Sequence, residues 1–343
     1  MHSSNLDQPI NSDSDSNSDF NLSLNFGIFD FAYVETTSIS LDSKRRYKKW
    51  LTDGCNGPLK YMLAQDDGRR EDLKNYWGRC ESALVFLFPY KHQLLSQKRI
   101  PIADFVFFSG ERDYHLAIRD NLQNWISHSE FAAKYKIFTD TSIDYKIVVD
   151  SAPVLERDLA YRAGLGWFGK NSMLINPELG SYFLIGTILL SAKLNLPKRD
   201  VQQSRCGDCS ECLKRCPTQA ITSNGEVDAR RCVSCYTTEV FKNIPHSLGQ
   251  FPGDYFFGCD SCQLACPWNR QVPSQELKLS PSTPIEIFLS SDTQHIMDVI
   301  TTLGSREYRR KYGQTPFERI GRTGMLKNLR NWIGRAGDGL DLL

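Results

Sequence analysis

The sequence predicts an α+β protein: an N-terminal α/β domain, a compact cysteine-rich module, and a short helical C-terminal region. Three observations predict it. Apolar strand-like runs alternate with helix-patterned segments to about residue 195. Nine of the eleven cysteines fall between Cys206 and Cys266. The stretch 305–335 is basic, with apolar residues at helical spacing. The expected boundaries are a disordered tail at 1–22, then 23–200, 201–275 and 276–343.

The elements follow in order. Residues 1–22 are rich in Ser, Asp and Asn and hold too little apolar surface to offset the entropy of ordering. FGIFDFAYVETT opens the ordered chain as a short element. Residues 43–64 read as helical, broken between Gly54 and Pro58. SALVFLFPY (82–90) suits a buried strand. Residues 114–135 read as an amphipathic helix with Leu116, Ile118, Leu122, Trp125 and Ile126 towards the core. YKIVVD (145–150) is a second buried strand, and ERDLAYRAGLG a helix stopped by glycines. SMLINPELGSYFLIGTILLS holds two apolar runs and predicts a hairpin or strand pair. Residues 284–303 read as helical, and in 305–335 Phe317, Ile320, Leu329, Trp332 and Ile333 mark the buried face.

The cysteines carry the strongest signal. Cys206, Cys209, Cys212 and Cys216 form C-x2-C-x2-C-x3-C-P, and Cys259, Cys262 and Cys266 form C-x2-C-x3-C-P. Such runs hold 4Fe–4S cubanes, each iron taking one thiolate, and in two-cluster ferredoxins the cysteine before proline serves the other cluster. The spacing assigns Cys206, Cys209, Cys212 and Cys266 to one cluster, and Cys259, Cys262 and Cys216 to a second. The remaining ligand is either Cys232 or Cys235. A zinc ribbon would use separated CxxC pairs, and disulfides need an oxidising compartment. Cys55 and Cys80 read as ordinary thiols.

Composition narrows the class. A net charge of +1 confines any nucleic-acid surface to a local patch. The N-terminus lacks the basic and apolar regions of a secretory signal and any twin-arginine motif. No uncharged apolar run reaches membrane-spanning length. A reducing cytoplasm is expected.

Other polar groups are ambiguous by themselves. GLGWFGKN (164–171) fits G-x4-G-K, but Asn171 stands where a Walker loop needs a hydroxyl. A glycine turn approaching a ligand, with Lys170 and Asn171 as polar contacts, is the alternative to a plain tight turn. Asp150 ends a strand, as a proton donor with a raised pKa or as a turn cap. Glu156 and Arg157 read as a surface pair. In GERDYH, Asp113 reads as a helix N-cap, and His115 as a catalytic acid lacks a visible partner.

The segments VVDSAPVLERDLAYRAGLGWFGKNSMLINPELGSYFLIGTILL, CGDCSECLKRCPTQAI and GCDSCQLACPWN together resemble the epoxyqueuosine reductase family over about residues 30–335. The resemblance implies a cytoplasmic, monomeric enzyme with two 4Fe–4S clusters and a cobalamin. It implies reduction of epoxyqueuosine to queuosine at the tRNA wobble position, fed by a flavodoxin or ferredoxin. It implies a cobalamin-binding α/β domain, a ferredoxin-like module and a helical-repeat region, here cut short after one repeat. It selects Cys232 over Cys235 and assigns Asp150 as proton donor. It places Arg70, Lys170, Asn171, Asp260 and Ser261 near cobalamin. Arg306, Arg309, Arg310, Lys311, Arg322, Lys327 and Arg330 become expected phosphate contacts. A reductive dehalogenase shares the cofactors but would normally carry the twin-arginine signal. A non-catalytic electron carrier leaves about 180 N-terminal residues without a role.

Overall fold

The computed structural model describes residues 26–64, 67–94, 100–110, 112–130, 133, 143–242, 255–272, 274–276 and 284–337. The expected tail at 1–22 lies outside them, as does most of the predicted helix beyond residue 130.

The centre is a four-stranded sheet of β1 (Asp30–Val34), β2 (Ser82–Pro89), β4 (Tyr145–Val148) and β7 (Phe183–Leu190), in the order β1-β2-β7-β4. Every neighbouring pair is antiparallel. The alternation of strands and helices therefore builds an α+β sheet, not the parallel one that an α/β domain in the strict sense would have. β2 is buried along nearly its whole length because both faces are covered. Ala83, Val85 and Leu87 point towards helix Glu156–Arg162. Leu84, Phe86 and Phe88 point towards helix Tyr114–His128, which buries Ile118, Leu122, Trp125 and Ile126. Leu116 was expected on that buried face but is 37 % exposed. At 100° per residue it falls on the face roughly opposite Ile118, Leu122 and Trp125, which meet the sheet.

The two apolar runs around Asn176-Pro177 do not pair with each other as predicted. β6 (Leu174–Ile175) pairs with β5 (Trp167–Phe168), while β7 enters the central sheet. An isolated Asn176–Gly180 bridge is what joins the runs. The glycines of 164–169 serve chain packing: a Cβ on Gly166 would collide with the Ile175 carbonyl.

A third core joins three parts of the chain. Ile100, Ile102, Val106 and Phe107 pack with Phe256 and Phe257 and with the C-terminal helices through Phe288, Ile300, Tyr312, Phe317 and Leu329. Trp332 packs at its edge, and Ile333 is only partly buried. The C-terminal region comprises helices Ile287–Ser290, Thr293–Thr302, Ser305–Tyr312 and Gly321–Gly337 and a 3₁₀ turn Pro316–Ile320. No helix among the described residues is long and apolar enough to cross a membrane.

The cysteine module docks on the turn at Gly180, which has φ +57°. Asn269 Oδ1 accepts from the Ser181 amide at 2.7 Å, and its Nδ2 donates to Ser181 Oγ and the Gln263 carbonyl. A Cβ on Gly180 would overlap that carboxamide and crowd the Trp268 carbonyl. Gly180→Ala is expected to destabilise the protein by about 2 kcal/mol or more, through both clash and strain. Denaturant unfolding checks this, and an unchanged midpoint would contradict it.

Candidate active site and cluster module

The thiols sort into two groups. Burial is the largest cause raising the Cys212 and Cys266 pKa values, and Cys206, Cys209 and each other add to it. Burial likewise raises Cys232, lifts Cys259 to about 11 and drives Cys262 well above the usual thiol range. In that second group the added charges are those of Cys216, Cys232, Cys259 and Asp260. Cys235 is raised by burial too, but Cys232 is the one cysteine acting on it, beside Glu239, Lys327 and Arg319. Among the described residues no three Cys, His, Asp or Glu side chains converge on a point that would hold one metal ion. A cubane asks for something else, four thiolates around four irons, and the charges felt by Cys212 and Cys266 come from one set of cysteines while those felt by Cys259 and Cys262 come from another.

The surrounding bonds are specific. Lys170 Nζ donates to the Gly207 and Cys209 carbonyls at 2.6 and 2.9 Å, holding the loop of the first group. Asn171 is buried beneath it. Asp260 is also buried, accepting from the Asp104 amide at 2.7 Å and from Gln263 at 3.1 Å. Burial and the Asp104 charge raise its pKa. Over the second group, Lys327 Nζ donates to the Tyr236 and Val240 carbonyls, both at 2.7 Å, and lies over the Tyr236 ring. Asn328 Nδ2 donates to the Thr237 and Phe256 carbonyls, both at 2.9 Å. Lys327 is 3 % exposed, so it is a clamp on helix Val233–Glu239 and not the free phosphate contact its basic neighbourhood suggested. Arg322 is committed as well, to the Ile300 and Thr301 carbonyls. The Arg309 and Arg310 side chains stay 80 % exposed.

Between the sheet and the module lies a cleft of about 810 Å³. Trp50, Tyr61, Met62, Phe168, Met173 and Phe183 give it an apolar lining. Its polar lining includes Arg70, Asp150, Glu156, Glu239 and Arg319. Trp50 Nε1 donates to the Val227 carbonyl at 2.7 Å, tying helix Leu41–Thr52 to the module at the rim. Of the expected cofactor contacts, Arg70 and Asp150 line the cleft, whereas Lys170, Asn171, Asp260 and Ser261 are not among its lining residues.

Asp150 follows β4 in a turn and takes φ +51°, a conformation that costs on the order of 1–3 kcal/mol for a residue with a side chain. Its backbone is held by Glu156, whose two carboxylate oxygens each accept from the Asp150 amide at 3.0 Å. Glu156 is thus a partner of Asp150 and not half of a surface pair with Arg157. The Asp150 carboxylate accepts from the Tyr114 hydroxyl at 2.8 Å and faces His115 Nε2 at 3.3 Å. His115 Nδ1 faces Asp113 at 2.7 Å, and Asp113 also caps the helix through the His115 amide, as predicted. The partner that His115 lacked in the sequence is Asp150, brought to it from the end of β4.

The protonation states follow from these contacts. Asp150 is ringed by protein yet half open to the cleft, so it is both desolvated and wetted. Desolvation works to raise its pKa, but the His115 bond and charge, Tyr114 and Arg319 outweigh it and hold the carboxyl below the usual range. Burial works to lower His115, and Asp113 and Asp150 overcome it, raising the imidazole to about 9. Burial and the Asp150 charge push Glu156 up to about 8. At neutral pH the cleft therefore holds a carboxylate between two groups that keep their protons. Arg319 donates to Glu239 at 2.5 Å on the cleft wall. It was not singled out in the sequence because its neighbours along the basic stretch look alike.

Comparison with known proteins agrees with this layout. Residues 205–269 match the family described as a 4Fe-4S double cluster binding domain. An epoxyqueuosine reductase from Aliivibrio fischeri is 36 % identical over 228 residues, covering 66 % of this chain and 59 % of its own length. The chain thus spans about three-fifths of that relative. The epoxyqueuosine reductase of Escherichia coli K12 is 33 % identical over 318 residues, covering 89 % of this chain and 78 % of that protein. A crystal structure of epoxyqueuosine reductase with an epoxyqueuosine-modified tRNA-Tyr stem loop superposes with a TM-score of 0.72 at 21 % identity, over 94 % of this chain and 82 % of the other. With a mixed sheet-and-helix fold of that kind, a double-cluster domain and this level of identity across most of its length, the chain belongs to the epoxyqueuosine reductase family.

Proposed function

We propose that the protein reduces epoxyqueuosine to queuosine at the wobble position of tRNA. The reaction removes the epoxide oxygen: both C–O bonds break, a C=C bond forms, and oxygen leaves as water after uptake of two electrons and two protons. The observation that carries the proposal is the proton-loaded cleft beside two groups of thiols. His115 and Glu156 hold protons at neutral pH, and Asp150 sits between them facing the open space. The proton on His115 Nε2 lies one hydrogen bond from Asp150 Oδ2, so Asp150 passes it to the epoxide oxygen and His115 refills it. The Tyr114 hydroxyl holds the Asp150 carboxylate, and the Glu156 carboxyl holds its backbone amide.

We infer that Cys206, Cys209, Cys212 and Cys266 hold one 4Fe–4S cluster, and Cys216, Cys232, Cys259 and Cys262 the other. A cleft of about 810 Å³ with Trp50, Tyr61, Phe168 and Phe183 on its walls and Arg70, Asp150, Glu156 and Arg319 among many charged groups suits a large macrocycle with polar side arms, and Arg70 and Asp150, which line it, are the proposed contacts with cobalamin. Cobalamin, when bound, supplies a strongly reducing cobalt centre. Lys170 acts at one remove, by holding the Gly207 and Cys209 carbonyls; Ser261 Oγ lies 3.4 Å from Cys259 Sγ, Asp260 ties in the Asp104 amide, and Asn171 holds the Met173 amide in its own turn. The organisation is then a cofactor domain at 23–200, a cluster module at 201–275 and a short helical-repeat region at 276–343. Exposed Arg309 and Arg310 on helix Ser305–Tyr312 meet RNA phosphates, and the modified base leaves its stack to enter the cleft. A cytoplasmic setting supplies both tRNA and a reducing environment for the clusters.

The test is turnover of an epoxyqueuosine-bearing stem loop by anaerobically reconstituted protein, followed by mass loss of one oxygen. Turnover should fall as pH rises through about 8 to 9, where Glu156 and His115 lose their protons. No oxygen loss from fully loaded protein would refute the function. A profile flat across that range would remove His115 and Glu156 from the proton supply.

A further inference from the structure

The two thiol groups are not equally placed. The second is covered by the C-terminal helices through Lys327 and Asn328, and helix Val233–Glu239 leads from Cys232 to Glu239 on the cleft wall. In the first, Cys206, Cys209 and Cys212 are partly exposed and Cys266 is buried. Cys206 and Cys266 pack with Trp167 and Trp268, and the Arg205 guanidinium lies over both indoles, 5.1 and 6.0 Å from their centres. Arg205 itself is exposed. Helix Glu211–Arg215, which carries Lys214 and Arg215, packs on helix Ser261–Leu264. Leu264 is 42 % exposed, an apolar side chain with nothing over it among the described residues. Arg270 is close enough to lower the Glu211 pKa, after the larger effect of Lys214. Four exposed cations, Arg205, Lys214, Arg215 and Arg270, thus lie on the same packed segments as the exposed Leu264 and the cysteines of the first group. The carboxylates in the same segments are Asp208 and Glu211, so the patch carries two net positive charges on a chain whose total is +1.

The geometry points to this patch as the docking surface for an acidic one-electron carrier protein, with Lys214, Arg215 and Arg270 steering and Leu264 at the contact centre. This rests on the proposed cluster assignment. Each encounter moves one electron: the carrier is oxidised by one, the cluster of the first group is reduced by one, and no atoms transfer. Charge complementarity favours such a carrier because steering by a basic rim raises encounter rates, and an exposed leucine with the flanking Pro217 and Pro267 gives a small dry centre. RNA would use the cations but not the leucine.

The experiment uses the full-length, cluster-loaded protein without tRNA and with reduced flavodoxin as probe. Flavodoxin affinity and the rate of single-turnover cluster bleaching are measured for wild type, for Lys214→Glu/Arg215→Glu/Arg270→Glu and for Leu264→Asp. The triple variant should lose roughly tenfold or more in rate at low salt and flatten its salt dependence. Leu264→Asp should weaken affinity at all salt concentrations. Iron content, and bleaching by a photoreduced deazaflavin small enough to need no docking, should stay at the wild-type level. Flavodoxin affinity and rate unchanged in both variants would overturn the assignment. So would unchanged flavodoxin affinity together with weakened binding of an unmodified tRNA stem loop, titrated in a separate experiment, which would give the patch to RNA. Neither outcome bears on whether the protein reduces epoxyqueuosine, because tRNA turnover is not the readout.

Discussion

Asp150→Asn is expected to lower turnover by roughly 10²- to 10⁴-fold while leaving iron, sulfide and corrinoid content unchanged. The amide has nearly the same shape and still accepts from Tyr114, and the backbone bond to Glu156 is untouched. What it loses is the ability to take a proton from His115 and deliver it. It also removes the negative charge that holds His115 protonated, so the His115 pKa should fall from about 9. Histidine resonances followed against pH would show that shift independently of turnover. Turnover within about threefold of wild type would remove Asp150 from the proton path. The same charge ties stability to pH: the part that His115 contributes is complete below its ordinary value of 6.5 and is lost as pH rises through about 9.

Cys232→Ala should strip one cluster and abolish turnover, whereas Cys235→Ala should keep both. The two thiols are three residues apart on one helical segment but face different neighbours. Cys232 shares its surroundings with Cys216, Cys259 and Cys262, while the non-cysteine charges at Cys235 come from Glu239, Lys327 and Arg319. Anaerobic reconstitution with iron and sulfide counted per chain decides it. Cys232→Ala should retain about half the iron, since each cubane takes four irons. Equal iron in the two variants, or the reverse order, would mean that the ligand is Cys235.

The double-cluster domain at 205–269 was legible in the sequence because a cubane's demands are local: three cysteines on one turn and a fourth before a proline. The buried strands were legible too, since β2 and β7 are apolar almost throughout. Their pairing was not. Hydrophobic runs report burial, and they do not say which neighbour a strand finds, so Leu174–Ile175 went to Trp167–Phe168 instead of to β7. The proton path was hidden for a related reason. Asp113 and His115 sit at a helix start and Asp150 at a strand end 35 residues on, and the fold alone brings them together. Glu156 and Lys327 misled through their surroundings, for a charge beside other charges reads as solvated. Only the packing shows that one carboxylate caps a backbone amide and that one ammonium is sealed against two carbonyls.

That sealed ammonium has a consequence for engineering. Lys327 and Asn328 close over the second ligand group from a helix far along the chain, so the electron-carrying insert is not a cartridge. A graft replacing 205–269 with a foreign ferredoxin would leave a buried amine, its pKa already lowered to about 7 by burial, and a carboxamide without their acceptors. Any chimera that works should prove to have transplanted the far helix along with the insert.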